Sequence, residues 1–249
     1  MVVPFARALA LLTAYTPQDR WLGNSEMAQR TALPASTVTR LAQTLVSLGY
    51  LLHDPLERKY RLGTAVLALG HAAFATSEVQ RVARTQMQVF ANQQNTHVIL
   101  SSRYRLDLIV LESCRSPLST LSLNLHIGTR VGLAASPMGW ALLASLPEPE
   151  RYYLLNNMER RMPREWPQLR RRASEAIAQV LEKGYCSSVS DLDPSLGIIA
   201  VPVQTTDHEP RVLACVVPSL QLDRARVERE LGPQLLAMAQ LLQQTGIPG

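Results

Sequence analysis

Residues 24–50 read NSEMAQRTALPASTVTRLAQTLVSLGY, and their pattern predicts a short helix, a tight turn through Ala32-Leu33-Pro34 and a longer helix stopped at Gly49. Asn24 or Ser25 can cap the first helix with a side-chain oxygen, and Pro34 suits the first position of the second, where a missing N–H is harmless. Two helices joined this tightly make a helix-turn-helix, whose second helix fits the DNA major groove. In that helix Val38, Leu41, Leu45 and Leu48 follow steps of three and four and form one apolar stripe. Opposite the stripe lie Ser36, Thr39, Arg40 and Gln43, with Thr37 at its boundary. These side chains hydrogen-bond base edges or phosphates. A solvated polar face has the same pattern, so the flanking sequence decides between the two readings.

Downstream, residues 50–63 read YLLHDPLERKYRLG, two apolar-aromatic runs around a polar Asp54-Pro55 turn, which predicts a β-hairpin. Upstream, residues 4–15 predict a helix, and Trp21-Leu22 a short strand. Helix, helix, recognition helix and hairpin in that order make a winged helix-turn-helix over residues 1–62. Ser25 at the start of the helix pair and Arg58 and Lys59 near the hairpin tip are placed to meet phosphates or the minor groove. Residues 1–62 hold seven basic and four acidic side chains, so the module carries +3 of the chain's net +5. An excess on the helix pair suits a polyanionic partner.

Residues 63–75, GTAVLALGHAAFA, predict an apolar helix, and a linker over residues 63–76 follows. Its apolar surface calls for a cover, either its own domain or a second copy of the chain. A two-fold dimer would match a palindromic operator with two half-sites. From residue 77 to 249 the pattern changes to strands flanked by helices. Runs 96–100 and 106–111 read as a hairpin around Ser-Arg-Tyr-Arg, 118–125 as a further strand, and 198–203 and 212–217 as two more. Helices are expected over 78–92, 136–146, within 163–183, and over 223–244 with a break at Gly232-Pro233. The fold class is α+β.

Hydrophobic residues make up 47% of the 249, which suits a globular chain, and no apolar run approaches the ~20 residues that span a bilayer. The N-terminus lacks a charged leader and a small-residue cleavage site, and is read as a helix. Three widely spaced cysteines, Cys114, Cys186 and Cys215, fit a reducing cytoplasm better than a disulfide scaffold. The five histidines have no H-x-x-x-H spacing, and there is no C-x-x-C, G-x-G-x-x-G, P-loop or G-x-S-x-G, so no metal, cofactor or catalytic centre is expected. Six arginines between Arg160 and Arg172 read either as a solvated helix face, given the interleaved Glu159, Glu165 and Glu175, or as a second nucleic-acid surface.

Taken together, these residues resemble the IclR family of bacterial transcription regulators over nearly the whole chain. The resemblance rests on Arg7-Ala8-Leu9, on Leu33-Pro34-Ala35-Ser36-Thr37-Val38-Thr39-Arg40-Leu41, on Leu48-Gly49-Tyr50-Leu51 and on Tyr60-Arg61-Leu62-Gly63. It continues through Gly128-Thr129-Arg130, Ala135-Ser136-Pro137-Met138-Gly139, Lys183-Gly184-Tyr185 and Ile199-Ala200-Val201-Pro202-Val203. It implies a winged helix, a dimerising linker helix and a GAF/PAS-like α/β domain that binds a small-molecule effector. Carried across, the family's effector positions fall on Ser136, Met138, Gly139, Ser188, Ile198, Cys215 and Val217. Where the family pattern has a cysteine this chain has Ile198, and where relatives that bind small keto acids present hydroxyls it has Cys215 and Val217. So apolar a wall offers a carboxylate few partners, and a relatively apolar effector is expected, such as an aromatic acid of a catabolic pathway.

The expected function is therefore a sequence-specific, effector-controlled transcription regulator, a repressor or an activator. Its expected partners are double-stranded DNA, the effector, a second copy as dimer or dimer of dimers, and, as a further candidate, RNA polymerase. The alternative is a small-molecule enzyme whose winged helix is accessory or a protein-interaction module.

Overall fold

The computed structural model describes residues 2–75, 78–121, 123, 125–190, 193–204 and 209–244, with side chains at 74–75 and 78–80 left aside. Position 77, the expected start of the second domain, and positions 122 and 124 of the expected strand lie outside the described residues. The chain divides into two compact units, Met1–Ser77 and Glu78–Gly249.

The first unit runs α1 (Val3–Leu12), β1 (Leu22–Gly23), α2 (Asn24–Thr31), α3 (Ala35–Ser47), β2 (Leu51–Asp54), β3 (Lys59–Leu62) and α4 (Thr64–Ala75). The three strands form an antiparallel sheet in the order β1-β3-β2. Leu11, Met27, Val38, Ala42, Leu45, Leu51 and Tyr60 fill its core. Several local expectations are corrected. Gly23, not Asn24 or Ser25, precedes α2, and its N–H donates to Glu26 Oε2 at 2.7 Å. Pro34 stands just before α3 with ψ 139°, accepting from Val38 N at 3.0 Å. Leu48, expected in the apolar stripe, is 61% exposed, because the helix ends at Ser47 and Ala42 takes the inner position. Gly63 joins β3 to α4 where no side chain fits: an added Cβ would stand 2.1 Å from the Gly49 carbonyl oxygen.

The second unit opens with α5 (Glu78–Gln94), β4 (His97–Tyr104), β5 (Asp107–Arg115) and β6 (Arg130–Gly132). Then come α6 (Pro137–Ser145), α7 (Glu148–Arg161), α8 (Trp166–Lys183), β7 (Cys186–Val189), β8 (Leu196–Gln204) and β9 (Pro210–Pro218). A short α9 (Arg224–Arg226) passes through a π-helical turn (Val227–Leu231) into α10 (Gly232–Gln244), so the break in the last helix falls before Gly232. The strands make one antiparallel sheet, β6-β5-β4-β9-β8-β7. One face carries Val98, Leu100, Ile199, Val201, Leu213, Cys215 and Val217 and is closed by α5 and α10. The other carries Ile99, Ile198, Ala200, Val212, Ala214 and Val216 and is closed by α6, with α8 outside it. Residues 118–125 are a correction: among the described residues they form no strand. Leu121 O accepts from Arg115 and Leu125 O from Ser113 Oγ, so side chains hold this segment where a ladder was expected.

Candidate DNA-reading and effector-binding surfaces

In the first unit the helix pair is braced from both ends. Asn24 Nδ2 donates to the Ala35 carbonyl at 3.2 Å, which ties the start of α2 to the start of α3. Arg30 grips Asp19 through both terminal guanidinium nitrogens and donates to the Ala14 carbonyl, so α2 is tied to the loop after α1. The Arg30 hydrogen bonds, helped by Thr16, hold the Asp19 carboxyl well below the usual carboxylate range.

With Val38, Ala42 and Leu45 turned inward, α3 presents Ser36, Arg40 and Gln43 to solvent, and Thr37 and Thr39 are half-buried beside them. Thr44 and Ser47, which the sequence reading did not name, extend the same exposed polar strip. Thr39 Oγ1 donates to Ala35 O at 3.0 Å and so keeps its lone pairs for an incoming donor. Ser25 is exposed in the first turn of α2. At the wing, Asp54 Oδ1 accepts from the N–H groups of Leu56 and Glu57, a side-chain-closed turn. This turn lifts Arg58, at φ 52°, to the tip, and Lys59 Nζ stands a loose 3.8 Å from Glu57. Arg61 lies over the Trp21 ring at 5.2 Å, joining wing to β1.

In the second unit the expected effector residues separate into two groups. Ser136, Met138 and Gly139 are buried at the start of α6, where Ser136 Oγ accepts from Met138 N at 3.2 Å. An added Cβ at Gly139 would stand 1.9 Å from the Leu133 carbonyl oxygen, so only glycine lets these segments meet. Cys186 Sγ contacts the Pro137 carbonyl at 3.5 Å and sets the start of α6 above β7. Ser188 pairs with Ile198 on this same face. Cys215 and Val217 do not join them. Both point through the opposite face into the core under α5 and α10, and the residues of β9 that face α6 are Val212, Ala214 and Val216. A strand's side chains alternate, so Cys215 and Val217 stand on the face opposite Ser188 and Ile198.

In line with Ser188 and Ile198 the register continues through Val216 to His97. His97 Nε2 lies 2.7 Å from Ser113 Oγ, which donates to Leu125 O at 2.7 Å. Neither residue was singled out from the sequence. A histidine inside the apolar run Thr96-His97-Val98-Ile99-Leu100 was the available signal, since alternation places it beside Ile99. An open cleft of about 160 Å³ near the lead into α6 is lined by Leu106, Asp107, Leu133, Met158 and Met162 and holds none of the expected effector residues. Burial pushes the thiols of Cys186 and Cys215 up to about 12 and that of Cys114 up to about 11, so all three are neutral packing groups.

The IclR helix-turn-helix domain model matches residues 5–55, and the model of the bacterial transcriptional regulator IclR C-terminal domain matches residues 71–244. This chain belongs to the IclR family. It is 31% identical over 245 residues to the HTH-type transcriptional regulator TsaQ1/TsaQ2 of Comamonas testosteroni, covering 98% of this chain and 88% of that one. The crystal structure of an IclR family transcriptional regulator from Brucella abortus superposes with a TM-score of 0.88 at 35% identity, over all of this chain and 94% of the other. An IclR homologue from Microbacterium hydrocarbonoxydans, solved with 4-hydroxybenzoate, shares the fold with a TM-score of 0.70 at 21% identity, covering 97% and 98% of the two chains.

As an IclR-family protein, the chain is a DNA-binding transcription regulator controlled by a small-molecule effector. The enzyme alternative finds no support among these relatives. No helix among the described residues is long and apolar enough to cross a membrane. Part of the arginine run is used locally: Arg171 pairs with Glu175 at 3.0 Å, and Arg172 lies over Trp140 at 5.7 Å.

Proposed function

We propose that α3 reads operator bases with Ser36, Thr37, Thr39, Arg40 and Gln43, while Ser25, Arg58 and Lys59 hold the phosphate backbone. The observation that carries this reading is the division of α3, whose inner side is sealed in the core while Ser36, Arg40 and Gln43 stand exposed beside the wing. Arginine and glutamine offer bidentate bonds to guanine and adenine edges, which specify sequence, whereas phosphate contacts position without specifying. The test starts from an operator selected from a random DNA pool. Arg40→Ala should lose about 1–3 kcal/mol on that operator and little on random DNA. Arg58→Ala or Lys59→Ala should weaken both alike and flatten the salt dependence. Equal loss on both DNAs for Arg40→Ala would remove the base-reading role.

The protein acts on a palindromic operator as a homodimer, or as a dimer of dimers. Leu67 and Leu69 on α4 and Phe5 on α1 are exposed apolar side chains of the kind a second copy would cover. Sedimentation of the full chain tests this, and Leu67→Glu with Leu69→Glu should shift it toward monomer. The effector is an aromatic acid, as suits a face built from Ile198, Ala214 and Val216; the 4-hydroxybenzoate of the Microbacterium structure belongs to that class. Stabilisation by glyoxylate or pyruvate and by no aromatic acid would refute it. The protein works in the cytoplasm by binding and release, without turnover, as a repressor or as an activator that meets RNA polymerase.

A further inference from the structure

His97 is 4% exposed, and its register opposite Val216 turns it to the sheet face that carries Ile198 and Val216. Its hydrogen positions follow from counting donors. Ser113 owns one hydroxyl hydrogen, and the Leu125 carbonyl, 2.7 Å away and unable to donate, takes it. The 2.7 Å contact between Ser113 Oγ and His97 Nε2 therefore needs its hydrogen from the imidazole, so Nε2 carries the N–H. Burial, reinforced by the nearby Arg115 and His126, pushes the imidazole down to about 4, so the ring is neutral near pH 7. Nδ1 is then a bare acceptor. It is buried, and it has no hydrogen-bond partner among the described residues. A buried acceptor left unmatched costs about 1–3 kcal/mol, so native proteins usually supply a partner.

The sheet register says where that partner would come from. Ser188 stands opposite Ile198, Ile198 opposite Val216, and Val216 opposite His97. These four side chains make one row across β7, β8, β9 and β4, polar at both ends and apolar between. Three strand spacings separate the ends, roughly 14 Å from backbone to backbone, a length for one aromatic ring hydrogen-bonded at each end. At the Ser188 end the hydroxyl donates to the Val189 carbonyl at 3.1 Å, a local bond that a carboxylate can displace.

We infer that His97 Nδ1 accepts a hydrogen bond from a hydroxyl group of the effector, so that the ligand class is a hydroxylated aromatic acid lying along the Ser188–His97 row. This rests on the aromatic-acid reading above. A ligand hydroxyl supplies the hydrogen that Nδ1 lacks, whereas a second carboxylate there would set two acceptors against each other.

The test uses the full-length protein and a matched pair of probes, 4-hydroxybenzoate and 4-methylbenzoate, alike in size and charge. Calorimetry on the wild type should give about ten-fold tighter binding of the hydroxylated probe. His97→Gln keeps a donor for Ser113 but has no acceptor at the δ position, and should bind both probes equally. His97→Asn keeps an acceptor there and should retain the preference. Because either variant can lose stability, nitrogen-15 spectra of the wild-type histidines give a second readout. A pyridine-like Nδ1 should move upfield with the hydroxylated probe and stay in place with the methylated one. A hydroxyl preference that survives in His97→Gln, or an Nδ1 signal that does not move, overturns the role of His97 and leaves the aromatic-acid reading standing. If neither probe binds the wild type, both readings fall.

Discussion

The two faces of the six-stranded sheet use the same strands for different ends. Under α5 and α10, Val98, Leu100, Leu213, Cys215 and Val217 form a buried seam of apolar groups and one neutral thiol. On the other face, one residue further along each strand, Ala200 and Ala214 stand where α6 approaches among Ile99, Ile198, Val212 and Val216, and the polar Ser188, Ser113 and His97 join them. Leu213 and Ala214 are neighbours in sequence, yet one holds the fold and the other borders the candidate site. In a strand the face, more than the sequence neighbourhood, decides what a residue does.

The largest break in this comparison is expected from Leu213→Ala. Emptying a fully buried leucine site on the structural face should cost roughly 2–5 kcal/mol in urea unfolding, with the effector affinity of the folded fraction unchanged. Next comes pH. The folded imidazole of His97 lies below its unfolded value of 6.5, so the unfolded chain binds the extra proton. Its contribution is complete above pH 6.5 and is lost as pH falls toward 4, to a limit of about 3 kcal/mol. Unfolding curves of wild type and His97→Gln should converge over that interval, and parallel curves would show that the ring is not held neutral. A smaller effect separates neighbours on β9: Val216→Ser should change effector affinity several-fold, whereas Cys215→Ser should alter stability alone. The smallest is a null effect: the native protein should label none of its three thiols at pH 8 within the time that denatured protein labels all of them, as their raised pKa values require.

Much of the fold was legible because burial follows simple periods. The 3.6-residue stripe gave α3, and apolar runs gave β4, β8 and β9. The first unit's only serious misplacement was Leu48, where a helix end intervened. Residues 118–125 misled because leucines at 121, 123 and 125 alternate as a strand would, but the Leu121 and Leu125 carbonyls are claimed by the Arg115 and Ser113 side chains, a choice no periodicity records. β6, β7 and α7 escaped notice, being either a few residues long or nearly devoid of apolar contrast. For the candidate site, residue type was less informative than register. Ser188 and Ile198 fall on the sheet face under α6, whose first turn holds Met138 and Gly139, whereas Cys215 and Val217 alternate to the far side. His97 stayed hidden because a histidine in an apolar run looks like an ordinary strand residue until its two nitrogens are counted separately.

The register that aligns Ser188, Ile198, Val216 and His97 also bears on how such a protein changes over generations. Ile198 and Val216 belong to the cluster on the face opposite the α5 and α10 seam, and the register sets Ser188 and His97 beside them, so replacements among the four are directed away from that seam. If the row holds the effector as proposed, ligand preference can drift from one chemical to another by single substitutions, while the scaffold that must survive every step stays out of the experiment.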